Sequence, residues 1–390
     1  MLFLFGASLF PFVIVLAVGA LRLRSGSDGR NLSPSSRPLS FVAVLIPLKG
    51  VFPGQREVLL SLVRQNHPNF EILFILESDN DGAKSMVDDI CFQFAHCRKI
   101  ISGRSCACAQ KNHSLINGID SLKPLTEIIV FCDGGSAAGP DWLASLTRPI
   151  EMNRFEVVTT FRAFHPDPPT MAGVCMAIYA SFLTLAKAFY PKPWGGGTAI
   201  RRKTFDALDI VGLWAKTVVD DMVLGNALDR AGIKVKMDAV NQLNSHIKES
   251  TLDGFLGYLE RQILFPKFTN PGIWLTSLIL MVNISLAVLA GVFILIDAVI
   301  QTHVSPATWG AAGFFSIMFA GALGFWRVNS VSPPVGRWLI SVLPCIFLAT
   351  WVCIRSIFRN AIVWRGRRYG VGREGVVLNV RCEKGDENVI

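Results

Sequence analysis

The sequence predicts an α/β domain built on a mainly parallel sheet and tied to a membrane by apolar helices on either side of it. Three observations carry this. Ile128, Ile129, Val130 and Phe131 form an apolar run of the kind buried on both faces of a parallel sheet, and the run delivers Asp133, Gly134 and Gly135. Strand-like and helix-like segments alternate with short turns from Phe41 onwards, which implies right-handed parallel crossovers. Long, nearly uncharged stretches flank this domain, and with 51% hydrophobic and only 17% charged residues among 390 the chain is too apolar for an ordinary soluble protein.

Residues 2–21 are uncharged and long enough to cross a bilayer core of ~30 Å, and Arg22 and Arg24 follow at once. Basic residues after an apolar span place that side in the cytoplasm, whereas a cleavable signal carries its charges before the span. Residues 1–24 thus read as an N-terminal transmembrane anchor, and 25–40, rich in Ser, Pro, Gly and Arg, as a linker. Phe41 to Pro47 is the first buried strand. Gln55 to Asn66 is a helix closed by the turn formers Asn66 to Asn69, and Glu71 to Leu76 is a second strand that ends in Glu77, Asp79 and Asp81. A helix around Ala83 to Ala95, a weaker basic segment up to Lys111, a helix from His113 to Leu122 and the strand before Asp133 continue the alternation. Val157 to Phe161 is a further strand.

Pro166 to Phe189 is apolar and rich in small residues, with a helix near the membrane around Ser181 to Ala188. Trp194 to Arg202 is a glycine loop leading into a basic strand or turn. Val218 to Ala231 reads as an amphipathic helix, with Asp220 and Asp221 at its start, where the helix dipole favours negative charge. Phe255 to Phe268 mixes aromatic and charged residues and reads as a helix lying in the membrane surface, an interfacial element over 255–270. Gly272 to Ile300 and Ala307 to Trp326 each suit one span. Trp338 to Ile354 is apolar too, but Pro344 interrupts it and Arg355, Arg359, Arg365, Arg367 and Arg368 follow. A full crossing would put that cluster outside, against the positive-inside tendency. The expectation is therefore a segment that dips and returns, three full spans in all, with 271–362 a transmembrane and re-entrant region and 363–390 a basic cytoplasmic tail.

The formal charge of +9 is carried largely beside the apolar spans and in the C-terminal region, as suits an anionic leaflet, and no aromatic-basic module points to nucleic acid. Nine cysteines without CxxC pairs or His partners indicate neither a zinc site nor a disulfide framework, and fit a reducing compartment. His67, His113, His165 and His246 lack metal-ligand spacing. Asp297 alone is too little intramembrane charge for a transporter. Asp133 stands where open α/β sheets bind ligands, and a carboxylate there can hold a hard cation and through it a diphosphate. A plain turn with a capping Asp has the same local sequence, and Asp220 and Asp221 equally suit helix capping.

The order of the pieces is informative. VLIPLKGVFPG (44–54), SLVRQNHPNFEILFI (61–75), VFCDGGSAAGPDWL (130–143), GGGTAIRRKTFDAL (195–208), VVDDMVLGNALDRAGIKV (218–235) and VWRGRRY (363–369) stand in one sequence with membrane spans around them. In this the chain resembles the family 2 type of inverting glycosyltransferases, most closely the ceramide glucosyltransferase branch and its bacterial hopanoid-glycosylating relatives, from about Phe41 to Tyr369. The resemblance implies a GT-A (nucleotide-diphospho-sugar transferase) domain with a mixed, mainly parallel sheet over 41–254, in the cytoplasm at a bacterial inner membrane. It implies a nucleotide diphosphate sugar, UDP-linked, as donor, Mg2+ or Mn2+ at the diphosphate, and a lipid hydroxyl as acceptor. Carried over by position, Asp133 is the carboxylate for sugar nucleotide and metal, and Asp221 is the general base. Glu77 or Asp79 contacts uracil or ribose, Lys111 and Asn112 lie near the nucleotide, and Arg261 opens a clamp on the surface helix.

Two departures stand out: Ser78 replaces an Asp of the branch, and Leu264 and Phe265 replace an Arg-Trp pair. The second argues against a processive polysaccharide synthase and leaves a catalytically inactive membrane scaffold as the alternative. Gly195 to Gly197 is a loop around the acceptor or a plain turn; Arg201 and Arg202 meet phosphate or lipid; Trp364 to Tyr369 is an interfacial anchor.

Overall fold

The computed structural model describes residues 39–248, 250–328 and 333–382. The anchor expected at 1–24, nearly all of the linker at 25–40 and the tail beyond 382 lie outside the described residues. In chain order come β1 (Phe41–Pro47), α1 (Gln55–Val63), β2 (Phe70–Leu76), α2 (Lys84–Gln93), β3 (Cys97–Ile101), α3 (Gln110–Asp120), β4 (Thr126–Cys132), α4 (Trp142–Glu151), β5 (Val157–Thr159), β6 (Arg162–Asp167) and α5 (Met171–Phe189). Then follow β7 (Gly197–Arg201), α6 (Arg202–Ala207), α7 (Ile210–Trp214), α8 (Asp220–Arg230), β8 (Val235–Met237), β9 (Leu243–Lys248), α9 (Leu252–Thr269), α10 (Pro271–Ile300), α11 (Pro306–Val328) and α12 (Val335–Ser356). The last strands are β10 (Ala361–Trp364), β11 (Arg367–Val371) and β12 (Val377–Cys382). The chain divides into a sheet unit, which runs up to Arg162 and includes Tyr190–Ser245 and the residues from Asn360 on, and a helical unit, which includes Ala163–Phe189 and His246–Arg359. The boundaries fall within β6 and β9, which pair in a two-stranded sheet.

The sheet unit is built on a seven-stranded sheet in the order β3-β2-β1-β4-β7-β5-β8. β1 to β4 are parallel, β7 runs antiparallel to both β4 and β5, and β5 is parallel to β8. Val42, Leu45, Ile46, Leu73, Phe74, Ile128 and Val130 are shut off from solvent, and each such side chain contributes roughly 1.5–3 kcal/mol of transfer free energy. Helix α3 lies unusually close to this layer. A Cβ on Gly118 would stand 2.6 Å from Ile75 Cδ1 and 2.7 Å from Leu45 Cδ2, so only glycine lets the helix settle and carry Lys111, in its first turn, to the sheet.

Two of the elements that escaped the sequence reading show why. The weak basic segment before Lys111 contains β3, an edge strand; Cys97 is its buried residue, and Arg98 reaches back to Glu71 Oε2 at 3.0 Å, so no apolar run marks it. Helix α4 carries Pro149 in its interior, which masks the spacing of its buried Trp142, Leu143, Leu146 and Ile150.

In the helical unit, Met171–Phe189, Pro271–Ile300, Pro306–Arg327 and Val335–Ser356 are long and apolar enough to cross a membrane. Trp338 to Ile354, expected to dip and return, lie within the unbroken helix α12, with Pro344 inside it. Its ends are pinned. Trp338 Nε1 donates to Ala322 O at 3.0 Å, late in α11, while Trp274 Nε1, early in α10, donates to Ser356 Oγ at 2.9 Å. Helix α12 runs back along α10, since Thr350 Oγ1 donates to Met281 O at 2.9 Å and meets Ser285 Oγ at 2.8 Å. Lys267, near the end of α9, caps α12 by donating to the carbonyls of Ser356, Ile357 and Arg359 at 2.7, 3.1 and 2.6 Å.

Candidate functional site

Asp133 follows β4 directly, and because β7 pairs antiparallel with β4, the start of β7 meets the end of β4: Cys132 is opposite Gly197. The glycine run before β7 is thereby laid against Asp133. Helix α3 and helix α8 bring their first turns to the same place, since Ala109 N–H donates to Thr217 O at 3.1 Å and the Asn112 amide donates to the same carbonyl at 3.0 Å. This gives Asn112, fully buried, a structural task.

Lys111 is the hub. Its ammonium lies 2.9 Å from Asp133 Oδ1 and 3.0 Å from Asp220 Oδ2, and it donates to Gly195 O at 3.1 Å. Asp221 Oδ2 accepts from Gly195 N–H at 3.2 Å, so Gly195 is gripped through its carbonyl by Lys111 and through its amide by Asp221. Burial would lower the Lys111 pKa, but Asp133, Asp220 and Asp221 outweigh it and hold the ammonium above its ordinary range. Burial would raise the Asp133 carboxyl; Lys111 first, with Arg162 and Arg365, overcomes that and keeps it below the usual carboxylate range. Asp220 goes the other way, because burial raises it and Asp221 and Asp133 add to the rise against the pull of Lys111. Neighbouring carboxylates with divergent proton affinities are the usual arrangement where one group must stay charged and another must handle a proton.

Gly195 admits no side chain. A Cβ there would stand 2.0 Å from Asp220 Oδ2 and 2.8 Å from Lys111 Nζ. Gly195→Ala is expected to cost about 1–3 kcal/mol through overpacking and to lower turnover by about 10²-fold through displacement of the carboxylates. Thermal unfolding and steady-state rates of the purified protein check this, and wild-type values of both would show that the loop is slack.

The other expected residues are placed differently. Glu77 is paired with Arg367, and its second oxygen lies 3.9 Å from Lys49 Nζ. Asp79 is exposed in the turn after β2. Asp81 accepts from Gly50 N–H at 3.0 Å and Ala83 N–H at 2.9 Å. Arg261 is on α9, in the helical unit. Arg201 donates to Glu156 Oε2 at 3.1 Å and Arg202 to Lys123 O at 3.0 Å, so both are engaged within their own unit. His67 pairs with Glu151 at 3.5 Å and His113 bonds to Ser102 O at 2.9 Å.

The run from Trp364 to Tyr369 is not an interfacial anchor. It forms the hairpin of β10 and β11 in the sheet unit, where Arg367 and Tyr369 are 2% and 1% exposed. Arg367 bonds to Glu77 and to Gln110 Oε1, and Gln110 N–H donates to Tyr369 Oη at 3.3 Å. Val218 N–H donates to Gly375 O and Val377 N–H to Lys216 O, both at 2.9 Å, so the tail also braces the approach to Asp220. Sequence reasoning missed Lys49, Arg162, Arg365 and Arg367; the only signal was Arg365-Gly366 between residues of alternating character, a weak hairpin mark without Asn or Asp.

Among the described residues no three His, Cys, Asp or Glu side chains gather as a metal cage. The position between Asp133 Oδ1 and Asp220 Oδ2 is served by Lys111, and the Asp133 side chain keeps 32% exposure. That donor set suits a cation that takes one carboxylate from the protein and its other ligands from a diphosphate and water, the common manner for Mg2+.

Over residues 9–377 the sequence matches the profile of Glycosyl transferase family 21. The chain belongs to that family. Mannosyltransferase PcManGT from Pyrobaculum calidifontis, solved in complex with GDP-Man and Mn2+, superposes with a TM-score of 0.55 at 15% identity, covering 90% of this chain and 99% of its own. This likeness shows the GT-A-like fold. GalNAc-T7, solved with UDP, GalNAc and Mn2+, gives a TM-score of 0.42 at 13% identity over 60% of this chain and 49% of its own. None of the curated proteins matches the sequence. The family 21 chain is thus a glycosyltransferase with a mixed, mainly parallel sheet and several helices of membrane-spanning character.

Proposed function

We propose that this protein is a membrane-bound inverting glycosyltransferase that moves a single sugar from a nucleotide diphosphate sugar, UDP-linked, to the hydroxyl of a lipid such as ceramide or a hopanoid. The observation that carries the reading is the gathering of Asp133, Asp220 and Asp221 on Lys111 and the Gly195 loop at the carboxyl edge of the sheet. The GDP-Man and Mn2+ of the Pyrobaculum enzyme support the donor class and the divalent ion.

In this reading Asp221 is the base. It takes the proton of the acceptor hydroxyl as that oxygen forms its bond to the anomeric carbon; the bond from that carbon to the diphosphate breaks, and the configuration inverts. Asp221 lies at the start of α8, where the dipole stabilises its charge, and Asp220 beside it opposes that effect. Lys111 keeps Asp133 ionised for the donor. Mg2+ or Mn2+ held by Asp133 would offset charge on the departing diphosphate. The lipid acceptor is supported by an apolar cavity of about 150 Å³ in the helical unit, lined by Tyr179, Phe182, Met281, Phe325 and Trp338 among others. The basic residues that follow the first apolar span and α12 support a catalytic unit on the cytoplasmic side of a bacterial inner membrane.

The test is an assay of the purified protein for nucleotide diphosphate release from a set of UDP-sugars and GDP-mannose, with Mn2+ or Mg2+, with and without a lipid extract. Release that needs both the ion and the lipid is expected. Absence of release from every donor would leave the membrane scaffold as the better reading.

A further inference from the structure

The β10–β11 hairpin turns through Arg365 and Gly366, whose φ angles are 47° and 74°. Both lie in the left-handed region, which suits a two-residue hairpin turn but is strained for an arginine. Asn, Asp or Gly is the ordinary choice for the first of these positions. Arg365 is exposed, whereas Arg367, two residues on, is buried on Glu77 and Gln110. Arg367 is thus the buried anchor of the hairpin, and Arg365 is its strained, exposed tip.

Its position gives it a task. Arg365 Nη1 donates to the backbone carbonyl of Lys49, and Lys49 Nζ donates to the carbonyl of Arg365 at 3.4 Å. Lys49 follows β1, which lies between β2 and β4 with Leu45 opposite Phe131, so the residues just after β1 neighbour those just after β4. The hairpin tip is thus fastened over the strand ends next to Asp133. Two cationic side chains from opposite ends of the chain, held together beside a carboxylate that keeps a third of its surface open, suit a ligand with two linked phosphates.

We propose that Arg365, together with Lys49, binds the diphosphate of the donor, so that the C-terminal hairpin is part of the donor site. The assignment rests on the nucleotide sugar reading above. The guanidinium supplies paired donors to phosphate oxygens, and the ammonium supplies a compact charge beside them. Nothing in this assignment requires a divalent ion.

The experiment measures binding of UDP and GDP, and of UMP and GMP, to the full-length protein in detergent by calorimetry, once with Mn2+ and once with EDTA. Arg365→Gly removes the guanidinium and relieves the left-handed strain, so it is expected to unfold at the same temperature or higher while losing about tenfold or more in diphosphate affinity. Its affinity for the monophosphates is expected to change by less than about threefold. Arg365→Lys is expected to fall between the two, and Arg368→Ala, exposed on the same hairpin, to match the unsubstituted protein. Diphosphate affinity of Arg365→Gly within about twofold of the unsubstituted protein, or an equal loss for mono- and diphosphates, overturns the assignment. If the unsubstituted protein binds none of the four nucleotides, the donor reading itself fails, a result distinct from binding that ignores Arg365.

Discussion

Asp221→Asn is expected to slow sugar transfer by ~10²–10⁴-fold, the span ordinarily lost with a general base, while donor affinity stays within about threefold. The substitution is close to silent structurally. Asn keeps a carbonyl oxygen that can accept from Gly195 N–H, a bond of 3.2 Å in the native protein, so the glycine loop stays in place. It also leaves the Lys111 contacts to Asp133 and Asp220 untouched. What disappears is the ability to take a proton from the acceptor hydroxyl. Turnover with saturating lipid reads the first quantity and calorimetry with the donor reads the second. A loss of donor affinity as large as the loss of rate would move Asp221 from the acceptor side of the reaction to the donor side.

Lys111→Met should be the most damaging single change in the sheet unit. It removes the cation that serves Asp133 at 2.9 Å and Asp220 at 3.0 Å, and breaking a buried pair by deleting one partner costs ~3–5 kcal/mol. The variant should also become sensitive to pH in a definite direction. Two carboxylates left without their ammonium hold a proton between them, so the folded-state pKa of one rises above its unfolded value of ~3.9. A carboxyl of that kind stabilises the fold below the unfolded pKa and loses its contribution as pH rises through the folded one. The gap in melting temperature between variant and native protein should therefore narrow as pH falls from about 7 to about 5. Adding Asp220→Asn to the variant should restore part of the loss. A gap that is the same at both pH values would mean that Lys111 acts through packing alone.

The parts of the site visible in the sequence were those whose chemistry is carried by local pattern. A buried run ending in Asp-Gly-Gly pointed to Asp133, while Asp220 and Asp221 read locally as residues of a helix start and Asp221 took its role from the resemblance. That these residues meet was not visible, because the meeting depends on β7 running antiparallel to its neighbours, and strand direction leaves no trace in composition. Lys111 was placed near the nucleotide by resemblance, yet its role as the shared cation of two carboxylates follows only from the close seating of α3 that Gly118 permits. The tail misled for a physical reason. Trp364, Arg365, Arg367, Arg368 and Tyr369 have the composition of a membrane-surface anchor, and only the alternation of buried Arg367, Tyr369 and Val371 with their outward neighbours reveals a strand. Glu77 or Asp79 was expected at the nucleotide by resemblance, and the pairing of Glu77 with Arg367, 290 residues away, has no local mark in the sequence.

That long separation bears on how the enzyme comes into being. A ribosome delivers β1, β2 and β4 early, yet the arginine that neutralises Glu77 is synthesised only after all the apolar helices have been handed over. Closing so large a loop is slow and entropically costly, and it cannot begin before the hairpin leaves the exit tunnel. The pairing of Glu77 with Arg367 therefore forms late, and the hairpin of β10 and β11 acts as a latch on strands made long before it.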